Sequence, residues 1–263
     1  MTDIKPFAVV TGASSGIGFE LAKQFAQSGF NLLVSAEDRG LESAADQLQS
    51  AGIQVQSVQA DLSTYDGVER LYAAIAATGR PVSVAALNAG VGQGGAFIDT
   101  DLADELRIID LNVRSTVHLA KRLLQEMAAR DDGRILITSS IASTMPGSFQ
   151  AVYNASKSFL QSFAEALDNE LKDTNVTITS LMPGPTDTNF FHRADMDDTR
   201  VGQGSKDDPA QVAKQGFDAL MDGKSKVIAG SVTTKAQGVA NSVLPDKLKA
   251  AAHRRMAEPG SGE

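Results

Sequence analysis

The sequence predicts a three-layer α/β fold, a doubly wound sheet of seven parallel strands with helices on both faces. Seven short segments rich in β-branched residues recur along the 263-residue chain, and stretches with helical apolar spacing separate them. Strands that alternate with helices favour a parallel sheet. Several strand segments are apolar at nearly every position, as expected where helices cover both faces. No repeat or linker interrupts the alternation, which predicts a single domain over residues 1–263.

The predicted elements follow one another in a regular order. The strand segments are 7–11, 31–36, 53–59, 82–88, 134–140, 176–182 and 226–230. The spacing of Ile17, Leu21 and Phe25 marks the first intervening helix, because these residues fall on one helical face.

Two regions depart from this order. Residues 183–209 are polar and irregular, and long loops of this kind in a compact domain are often functional, so 189–208 is predicted to be a lid. Phe190, Phe191 and Met196 either close over an apolar substrate or pack the lid down. Residues 237–263, which end in EPGSGE, are predicted to form a flexible tail.

The composition excludes several partners and chemistries. A formal net charge of -8 argues against a nucleic-acid-binding surface, which needs a basic patch. The absence of cysteine excludes disulfides, thiolate metal sites and a cysteine nucleophile. The first residues show no secretory pattern, and apolar stretches such as 82–91 are too short to cross a bilayer. We therefore expect a cytoplasmic protein with no membrane or nucleic-acid partner.

The histidines and acidic residues do not predict a metal site. His118, His192 and His253 are isolated and lack the spacing of metal ligands. The acidic residues between Asp195 and Asp208 are most simply the solvated face of a loop.

A glycine-rich turn joins the first strand to the first helix in FAVVTGASSGIGFELAKQFA. Gly12 permits a tight turn, Gly16 lets the backbone approach a ligand, and Gly18 lets the helix pack closely on the strand. The free N–H groups at the helix start form an anion site, to which Ser14 and Ser15 add hydroxyl donors. The alternative is a glycine turn without a ligand. Because no Gly-Lys-Ser/Thr sequence follows, the pattern favours a dinucleotide over ATP.

Tyr153 and Lys157 stand four residues apart in VYNASKSFLQSFAEAL, a segment with helical periodicity. This spacing places both side chains on one helix face, with Cβ atoms roughly 5–6 Å apart. A neighbouring ammonium would lower the pKa of the tyrosine from about 10 toward the working pH. Such a tyrosine can donate a proton to a carbonyl or accept one from an alcohol. Taken alone, a pair of this kind more often forms a solvated helix face.

Together these two motifs resemble those of a known family. TGASSGIG, from Thr11 to Gly18, is similar to the TGxxxGxG motif of the short-chain dehydrogenases/reductases, and YNASK, from Tyr153 to Lys157, resembles their YxASK motif. The resemblance implies a Rossmann fold with strand order 3-2-1-4-5-6-7. It also implies reversible hydride transfer between a nicotinamide cofactor and a carbonyl or secondary-alcohol substrate. Tyr153 would be the general acid–base, and Lys157 would lower its pKa and bind the nicotinamide ribose.

Two further catalytic residues are implied by their position. Ser140, thirteen residues before Tyr153, falls where the family has its catalytic serine, which would orient the substrate oxygen and stabilise charge on it. The alternative is a strand-end serine that caps the chain, an interpretation that suits Ser139 better. Asn112 occupies the place of the family's helical asparagine, which supports a proton relay; the alternative is an exposed helix asparagine.

Weaker motifs, in the family's order, imply cofactor contacts. LNAG at 87–90 resembles NNAG, and its leucine in place of the first asparagine would remove a structural hydrogen bond. An acidic–aliphatic pair at 61–62 matches the family's adenine contact, and the Pro-Gly pair at 183–184, with two following threonines, matches its carboxamide site. The implied cofactor-binding residues are Gly12, Ser14, Ser15, Gly16, Ile17, Gly18, Glu37, Asp61, Leu62, Asn88, Ala89, Gly90, Tyr153, Lys157, Pro183, Gly184, Thr186 and Thr188.

The end of the second strand bears on the choice of cofactor. NADP-preferring relatives usually carry a basic residue just after this strand, and often another in the glycine loop, where this chain has Glu37 and Ser15. The Glu37 carboxylate would repel a 2′-phosphate and can accept ribose hydroxyls. Ala36 replaces the usual NAD-selecting aspartate, and Arg39 could reach a phosphate. NAD(H) is therefore favoured, and NADP(H) stays open.

One alternative function belongs to a different class. A non-catalytic dinucleotide-binding regulator would lack one or more of Asn112, Ser140, Tyr153 and Lys157, yet all four are present. The resemblance implies a homo-oligomer, either a dimer or a tetramer, in which the helices carrying Asn112 and Tyr153 pair. The expected substrate is a small carbonyl or alcohol compound, and steroids, sugars, acyl chains and small ketones all stay open.

Overall fold

The computed structural model describes residues 5–262, apart from the side chains of residues 242 and 243. Within this range, seven strands form one parallel sheet in the order β3-β2-β1-β4-β5-β6-β7, which confirms the predicted fold and strand order. The strands are β1 (Phe7–Thr11), β2 (Asn31–Ala36), β3 (Val55–Gln59), β4 (Val84–Leu87), β5 (Gly133–Thr138), β6 (Val176–Pro183) and β7 (Lys226–Ala229).

Helices cover both faces of the sheet. They are α1 (Gly16–Gln27), α2 (Gly40–Gln49), α3 (Tyr65–Ala77), α4 (Leu102–Ile108), α5 (Ser115–Ala129), α6 (Ala151–Glu170), α7 (Phe190–Arg193), α8 (Arg200–Gln203), α9 (Pro209–Met221), α10 (Val232–Val243) and α11 (Asp246–Ala257). One face packs against α1, α2 and α9, and the other packs against α3, α5 and α6. Among residues 5–262, no helix has both the length and the apolar character that crossing a membrane requires.

The central strands are buried on both sides. In β1, Ala8 and Val10 pack against the layer of α1, α2 and α9, whereas Phe7 and Val9 pack against the opposite layer. Each buried CH₂ group stabilises the fold by about 0.8 kcal/mol, so both layers hold the strand in place. This double burial explains why the segment is apolar at consecutive positions rather than at alternate ones.

The order of the strands fixes where a ligand can bind. β1 pairs with β2 on one side and with β4 on the other. The chain leaves β1 toward β2 and leaves β4 toward β5, so the connections after these two neighbouring strands run in opposite directions. Where connections from neighbouring strands run in opposite directions, a crevice forms beyond the carboxyl ends of the strands. This crevice is the usual ligand site in open parallel sheets. The glycine-rich turn after β1 opens into this crevice.

A π-helical turn separates α4 from α5. It spans Ile109–Arg114 and carries Asn112 on its inner side, where the residue is fully buried. A π turn takes in one extra residue, and such turns are frequent at functional sites. The apolar spacing of the sequence did not predict this turn, because a π turn shifts the spacing within an otherwise continuous helical pattern.

The predicted flexible tail, residues 237–263, instead contains the end of α10 and all of α11. His253 and Ala257 of α11 are buried, and Lys249 Nζ donates a hydrogen bond to the backbone oxygen of Thr144 at 2.9 Å. The docked face of α11 is built from an alanine, a histidine and a lysine stem. Hydrophobic periodicity could not reveal such a face, which is why the sequence predicted no helix.

The predicted lid, residues 189–208, packs on α11. Phe191, Ala194 and Met196 form a small core with Ala257 of that helix, so Phe191 and Met196 pack the lid down. Hydrogen bonds join the same two segments: Gly260 N donates to Asp198 Oδ2 at 2.7 Å, Gly262 N donates to Asp198 O at 2.9 Å, and Arg200 Nε donates to Ser261 O at 2.9 Å. The lid and the C-terminal segment therefore form one packed unit.

Candidate active site

A cleft opens where the loops after β1 to β6 meet at the carboxyl edge of the sheet. Of the residues predicted to bind a cofactor, those that line it are Gly12, Ser14, Ser15, Gly16, Ile17, Gly18, Glu37, Leu62, Asn88, Ala89, Gly90, Tyr153, Lys157, Pro183, Gly184, Thr186 and Thr188. Asp61 differs, because its Oδ1 accepts hydrogen bonds from N and Oγ of Ser63, at 2.9 and 2.7 Å, and the residue does not line the cleft. The adenine contact of Asp61 stays a prediction.

The glycine loop has the backbone of an anion site. Gly12 and Gly16 adopt left-handed conformations, with φ of 66° and 56°, which favour glycine. A Cβ on Gly18 would lie 2.1 Å from Gly12 O, so the close approach of α1 to the loop requires glycine there. Ser15 begins α1 in an extended conformation, and its side chain makes no capping hydrogen bond. The loop therefore leaves the helix start open, and it fits the pyrophosphate of a dinucleotide.

Thr11 and Asn88 hold the loops after β1 and β4 together. Thr11 Oγ1 accepts hydrogen bonds from the backbone N of Asn88 and of Ala89, at 2.9 and 3.0 Å. The Asn88 side chain donates to Thr11 O at 3.3 Å and accepts from Thr138 Oγ1 at 3.1 Å. Leu87, where the family has its first asparagine, is buried in the core instead.

Two carboxylates stand beyond β2, at the end of the cleft away from Tyr153. Asp38 Oδ2 accepts a hydrogen bond from Ser14 Oγ at 2.6 Å, and Asp38 Oδ1 accepts one from Gly40 N at 2.9 Å. Glu37 forms an ion pair with Arg107 of α4, with 2.5 Å between Oε2 and Nη2. Sequence reasoning considered Glu37 and missed Asp38, because the contact with Ser14 joins residues far apart in the chain.

Tyr153 and Lys157 lie one turn apart on α6, as their spacing predicts. The half-buried Tyr153 ring packs against Phe190, with ring centroids 5.1 Å apart. Lys157 is 4% exposed, and its Nζ lies 5.8 Å from the Tyr153 ring centroid. The alternative of a solvated helix face is thereby excluded, since both residues line the cleft.

Burial sets the protonation of both groups. Burial raises the pKa of Tyr153 to about 12, and a hydrogen bond with the Ser140 side chain acts in the opposite direction. Burial also lowers the pKa of Lys157 to about 8. The predicted lowering of the tyrosine pKa by the lysine is therefore wrong. Lys157 Nζ donates its hydrogen bond to Thr138 O at 2.9 Å, and desolvation, which disfavours the charged phenolate, is the larger cause of the shift at Tyr153.

Asn112 holds the backbone beside Lys157. Its Oδ1 accepts from Val91 N at 2.9 Å, and its Nδ2 donates to Val91 O at 2.9 Å and to Ser156 Oγ at 3.0 Å. A Cβ on Gly90 would lie 3.1 Å from Asn112 Oδ1 and 3.4 Å from Lys157 Nζ, which shows how closely these groups meet. Asn112 is buried rather than exposed, and both N–H groups of its amide have partners.

The serines after β5 have different contacts. Ser140 Oγ accepts from Ala142 N at 3.1 Å and donates to Pro183 O at 3.4 Å, so Ser140 caps the 3₁₀ turn Ile141–Thr144. Ser139 Oγ donates to Lys157 O at 3.0 Å. The sequence favoured Ser139 as the serine that caps the end of the strand, but in the structure Ser140 is the cap. Ser140 also lines the cleft.

The loop after β6 returns to the glycine loop. Thr186 Oγ1 donates to Gly184 O at 2.9 Å, and Thr188 Oγ1 accepts from Phe190 N at 3.2 Å. A Cβ on Gly16 would lie 2.9 Å from Thr188 Cγ2. Both threonines line the cleft, and Thr188 lies against the glycine loop. Across the described residues, no three histidine, aspartate or glutamate side chains gather as metal ligands would.

Comparison with known proteins decides the family. Residues 6–199 match the family model described as short chain dehydrogenase, well over half of the chain. The chain belongs to the short-chain dehydrogenase/reductase family. Oxidoreductase UcpA of Salmonella typhimurium is 31% identical to it over 208 residues, which are 78% of this chain and 76% of UcpA.

Solved structures agree with the family. A short-chain dehydrogenase/reductase from Burkholderia phymatum, in complex with NAD, has a TM-score of 0.82 at 26% identity, over 90% of this chain and 92% of that one. A short-chain dehydrogenase from Sphingobium yanoikuyae, in complex with NADPH, has a TM-score of 0.79 at 25% identity. The match covers 85% of this chain and 87% of that one. This short-chain dehydrogenase/reductase is an oxidoreductase that uses NAD(H) or NADP(H) and acts on a CH–OH or C=O group of a small molecule.

The cleft of this short-chain dehydrogenase/reductase extends beyond the part that the family model matches. Residues after position 199 form its outer wall: Val201, Gln237, His253, Met256 and Ala257. Val201 belongs to the predicted lid, whereas the other four lie in residues 237–263, which the sequence predicted to be a flexible tail. No local pattern marks them, because α11 reaches the cleft by folding back from the end of the chain.

Proposed function

We propose that this chain catalyses reversible hydride transfer to the carbonyl carbon, or from the secondary-alcohol carbon, of a small molecule, with Tyr153 as the general acid–base. When bound, the nicotinamide would supply the hydride or accept it. The observation that carries the proposal is a single cleft that contains Tyr153, Lys157, Ser140 and the glycine loop. A regulator that only binds the dinucleotide is disfavoured, because it would not need these side chains together.

Four parts of the cleft would hold the cofactor. The glycine loop would bind the pyrophosphate through backbone N–H groups, and Asp38 would face the adenosine ribose. Asn88 and its neighbours would line the middle of the cleft, and Thr186 and Thr188 the nicotinamide end.

The proton steps fall to residues of this chain. With a pKa of about 12, Tyr153 keeps its proton at neutral pH and can donate it to the substrate oxygen. Ser140 Oγ would donate a hydrogen bond to the same oxygen as negative charge develops on it. Lys157, mostly protonated below its pKa of about 8, would add positive charge and bind the ribose. Asn112 would support the relay by fixing the backbone at Val91 beside Lys157.

The test is a panel of carbonyl and alcohol compounds, assayed at about 340 nm with each cofactor for the wild type and for Tyr153→Phe. We expect wild-type turnover and its loss by at least about 100-fold in kcat for the variant, with the Kd of the cofactor changed little. Equal turnover by the two proteins would overturn the mechanism.

We further propose that the chain prefers NAD(H). Asp38 is held by Ser14 and Gly40 in contact with the glycine loop, and Glu37 adds a second carboxylate at this end of the cleft. Arg107 is paired with Glu37, and Arg39 does not line the cleft. Two carboxylates here would repel the 2′-phosphate of NADP(H). NADPH use with NADH at least about tenfold poorer in kcat/KM would refute the preference.

A homo-oligomer, either a dimer or a tetramer, is proposed from an apolar groove on the outer side of α6. Phe97, Ile109, Val113, Val152 and Phe159 line this groove, and Phe97, Ile109 and Phe159 are each 44% exposed or more. Contiguous exposed apolar surface of this kind is typical of protein interfaces. Sedimentation equilibrium of the purified chain tests the proposal, and a monomer at micromolar concentration would contradict it.

A further inference from the structure

Two polar side chains that line the cleft each keep an end atom without a hydrogen-bond partner among the described residues. Gln150 is 7% exposed, and its buried Nε2 has no partner among the described residues. His253 is 9% exposed, and its Nδ1 hydrogen-bonds to Ser148 O at 2.9 Å, which leaves Nε2 unpaired within residues 5–262. Both residues line the cleft that contains Tyr153. Since buried polar groups in native proteins nearly always have partners, the unpaired Nε2 of Gln150 indicates a ligand that supplies one.

The two groups offer complementary hydrogen-bonding atoms. Ser148 O is an acceptor, so His253 must carry its proton on Nδ1, and its Nε2 is then an acceptor. Burial lowers the pKa of His253, which favours this neutral form. Gln150 brings an amide donor, and a half-turn of the amide exchanges its two end atoms without moving the backbone. A hydroxyl group, which both accepts and donates, satisfies this pair.

Gln150 and His253 reach the cleft from two different elements. Gln150 immediately precedes α6 and lies one turn before Tyr153, whereas His253 approaches from α11. The Ser148 hydrogen bond ties α11 to the segment that carries Gln150. Part of the cleft lining is apolar and includes Met145, Phe190 and Met256.

We propose that Gln150 and His253 form a specificity site for a second hydroxyl group of the substrate. The substrate class is then a ketone with an apolar frame and a hydroxyl remote from its carbonyl, or the corresponding diol in the oxidative direction. The inference rests on the proposed function, because Tyr153 defines where the carbonyl reacts.

The test uses octan-2-one and its 4-, 6- and 8-hydroxy derivatives, which place a hydroxyl at increasing distance from one carbonyl. For the wild type, we expect kcat/KM of at least one hydroxy ketone to exceed that of octan-2-one by about tenfold, the effect of one or two buried hydrogen bonds. Gln150→Leu and His253→Asn each bring this ratio close to one. A wild-type ratio at or below one for every hydroxy ketone, or a ratio that neither variant changes, would overturn the inference.

Controls separate specificity from folding. Asn at position 253 can keep the hydrogen bond to Ser148 O with its own amide and lacks the second ring nitrogen, so thermal unfolding should match that of the wild type. His192→Asn changes an exposed lid histidine that does not line the cleft, and it should keep the wild-type ratio. Tyr153→Phe tests the proposed function separately, since it should stop turnover of all four ketones alike, whereas the specificity site is tested by their ratio.

Discussion

Lys157 Nζ donates a hydrogen bond to the backbone oxygen of Thr138, 2.9 Å away in the protein interior. Thr138 ends β5, which leads to Ser140, and Lys157 belongs to α6, which carries Tyr153. Ser139 Oγ adds a second link by donating to Lys157 O at 3.0 Å. The placement of Ser140 relative to Tyr153 therefore depends on a buried lysine. Burial of this charged group should lower the free energy of unfolding at a pH where the lysine is protonated.

The first prediction concerns Lys157→Met and pH. The folded-state pKa of Lys157 is about 8, below the ordinary value of 10.5, so the unfolded chain binds more protons between these values. Wild-type stability should therefore rise with pH across this window, and the full cost, about 3 kcal/mol, applies below pH 8. The free energy of unfolding of the variant minus that of the wild type should therefore be greatest near pH 7. It should be about 3 kcal/mol smaller at pH 10.5.

Urea unfolding of both proteins at a series of pH values measures this difference. The exposed Lys121→Met on α5 is the control, and the pH-dependent change in stability should be larger for Lys157→Met than for this variant. A pH-independent difference for Lys157→Met would show that the lysine keeps an ordinary pKa in the folded protein.

The second prediction concerns Asp38→Asn. The amide can keep the contacts with Ser14 Oγ and Gly40 N, and it removes the negative charge. We expect kcat/KM with NADPH to rise about tenfold relative to NADH, because repulsion of the 2′-phosphate is relieved. Steady-state kinetics with both cofactors measure the ratio, and Glu42→Gln, an exposed change on α2, should leave it as in the wild type. A ratio that Asp38→Asn does not alter would assign selectivity to other residues.

The third prediction concerns Gly18→Ala. The new Cβ would meet Gly12 O at 2.1 Å and Asn88 Nδ2 at 2.5 Å, so α1 or the loop must move. Such overpacking costs about 1–3 kcal/mol, and the shifted loop should weaken cofactor binding at least about tenfold. Thermal unfolding and fluorescence titration with NADH measure the two effects. Gly29→Ala, strained by a φ of 83° yet free of contacts, should lower stability and leave the Kd for NADH unchanged.

The fourth prediction concerns Asn112→Ala. It leaves Val91 N and O without their side-chain partner and opens a cavity beside Ser156. We expect a loss of about 2–4 kcal/mol in the free energy of unfolding, since buried groups become unpaired. Asn169→Ala, an exposed change on α6, should cost less than about 0.5 kcal/mol in the same urea titration. Similar values for the two variants would mean that Asn112 has no positioning role.

Features with a local cause could be predicted from the sequence. β1 is apolar at consecutive positions because two helical layers cover it, and Gly18 is required by a contact within a short stretch of chain. The shared helix face of Tyr153 and Lys157 likewise follows from their spacing alone. The strand order, by contrast, was implied by the resemblance of the motifs to a known family, and the structure confirms it.

Features that depend on contacts between distant residues could not be predicted. Thr138 O lies beside Lys157, Ser14 beside Asp38, and Ser148 O beside His253, and no spacing in the sequence shows these contacts. The tyrosine pKa was predicted in the wrong direction for the same reason. Its sign depends on how much of the site is desolvated, which is a property of packing and not of spacing.

The joined lid and C-terminal segment limit how this enzyme can be recombined with its relatives. Asp198 binds the backbone of Gly260 and Gly262, and the apolar lid residues pack on Ala257. A chimera that imports a foreign 189–208 segment but keeps its own 246–262 would separate two surfaces that pack on each other in this protein. Crossover points that transplant both segments together should yield folded hybrids with the donor's substrate range, whereas exchange of either alone should yield unstable ones.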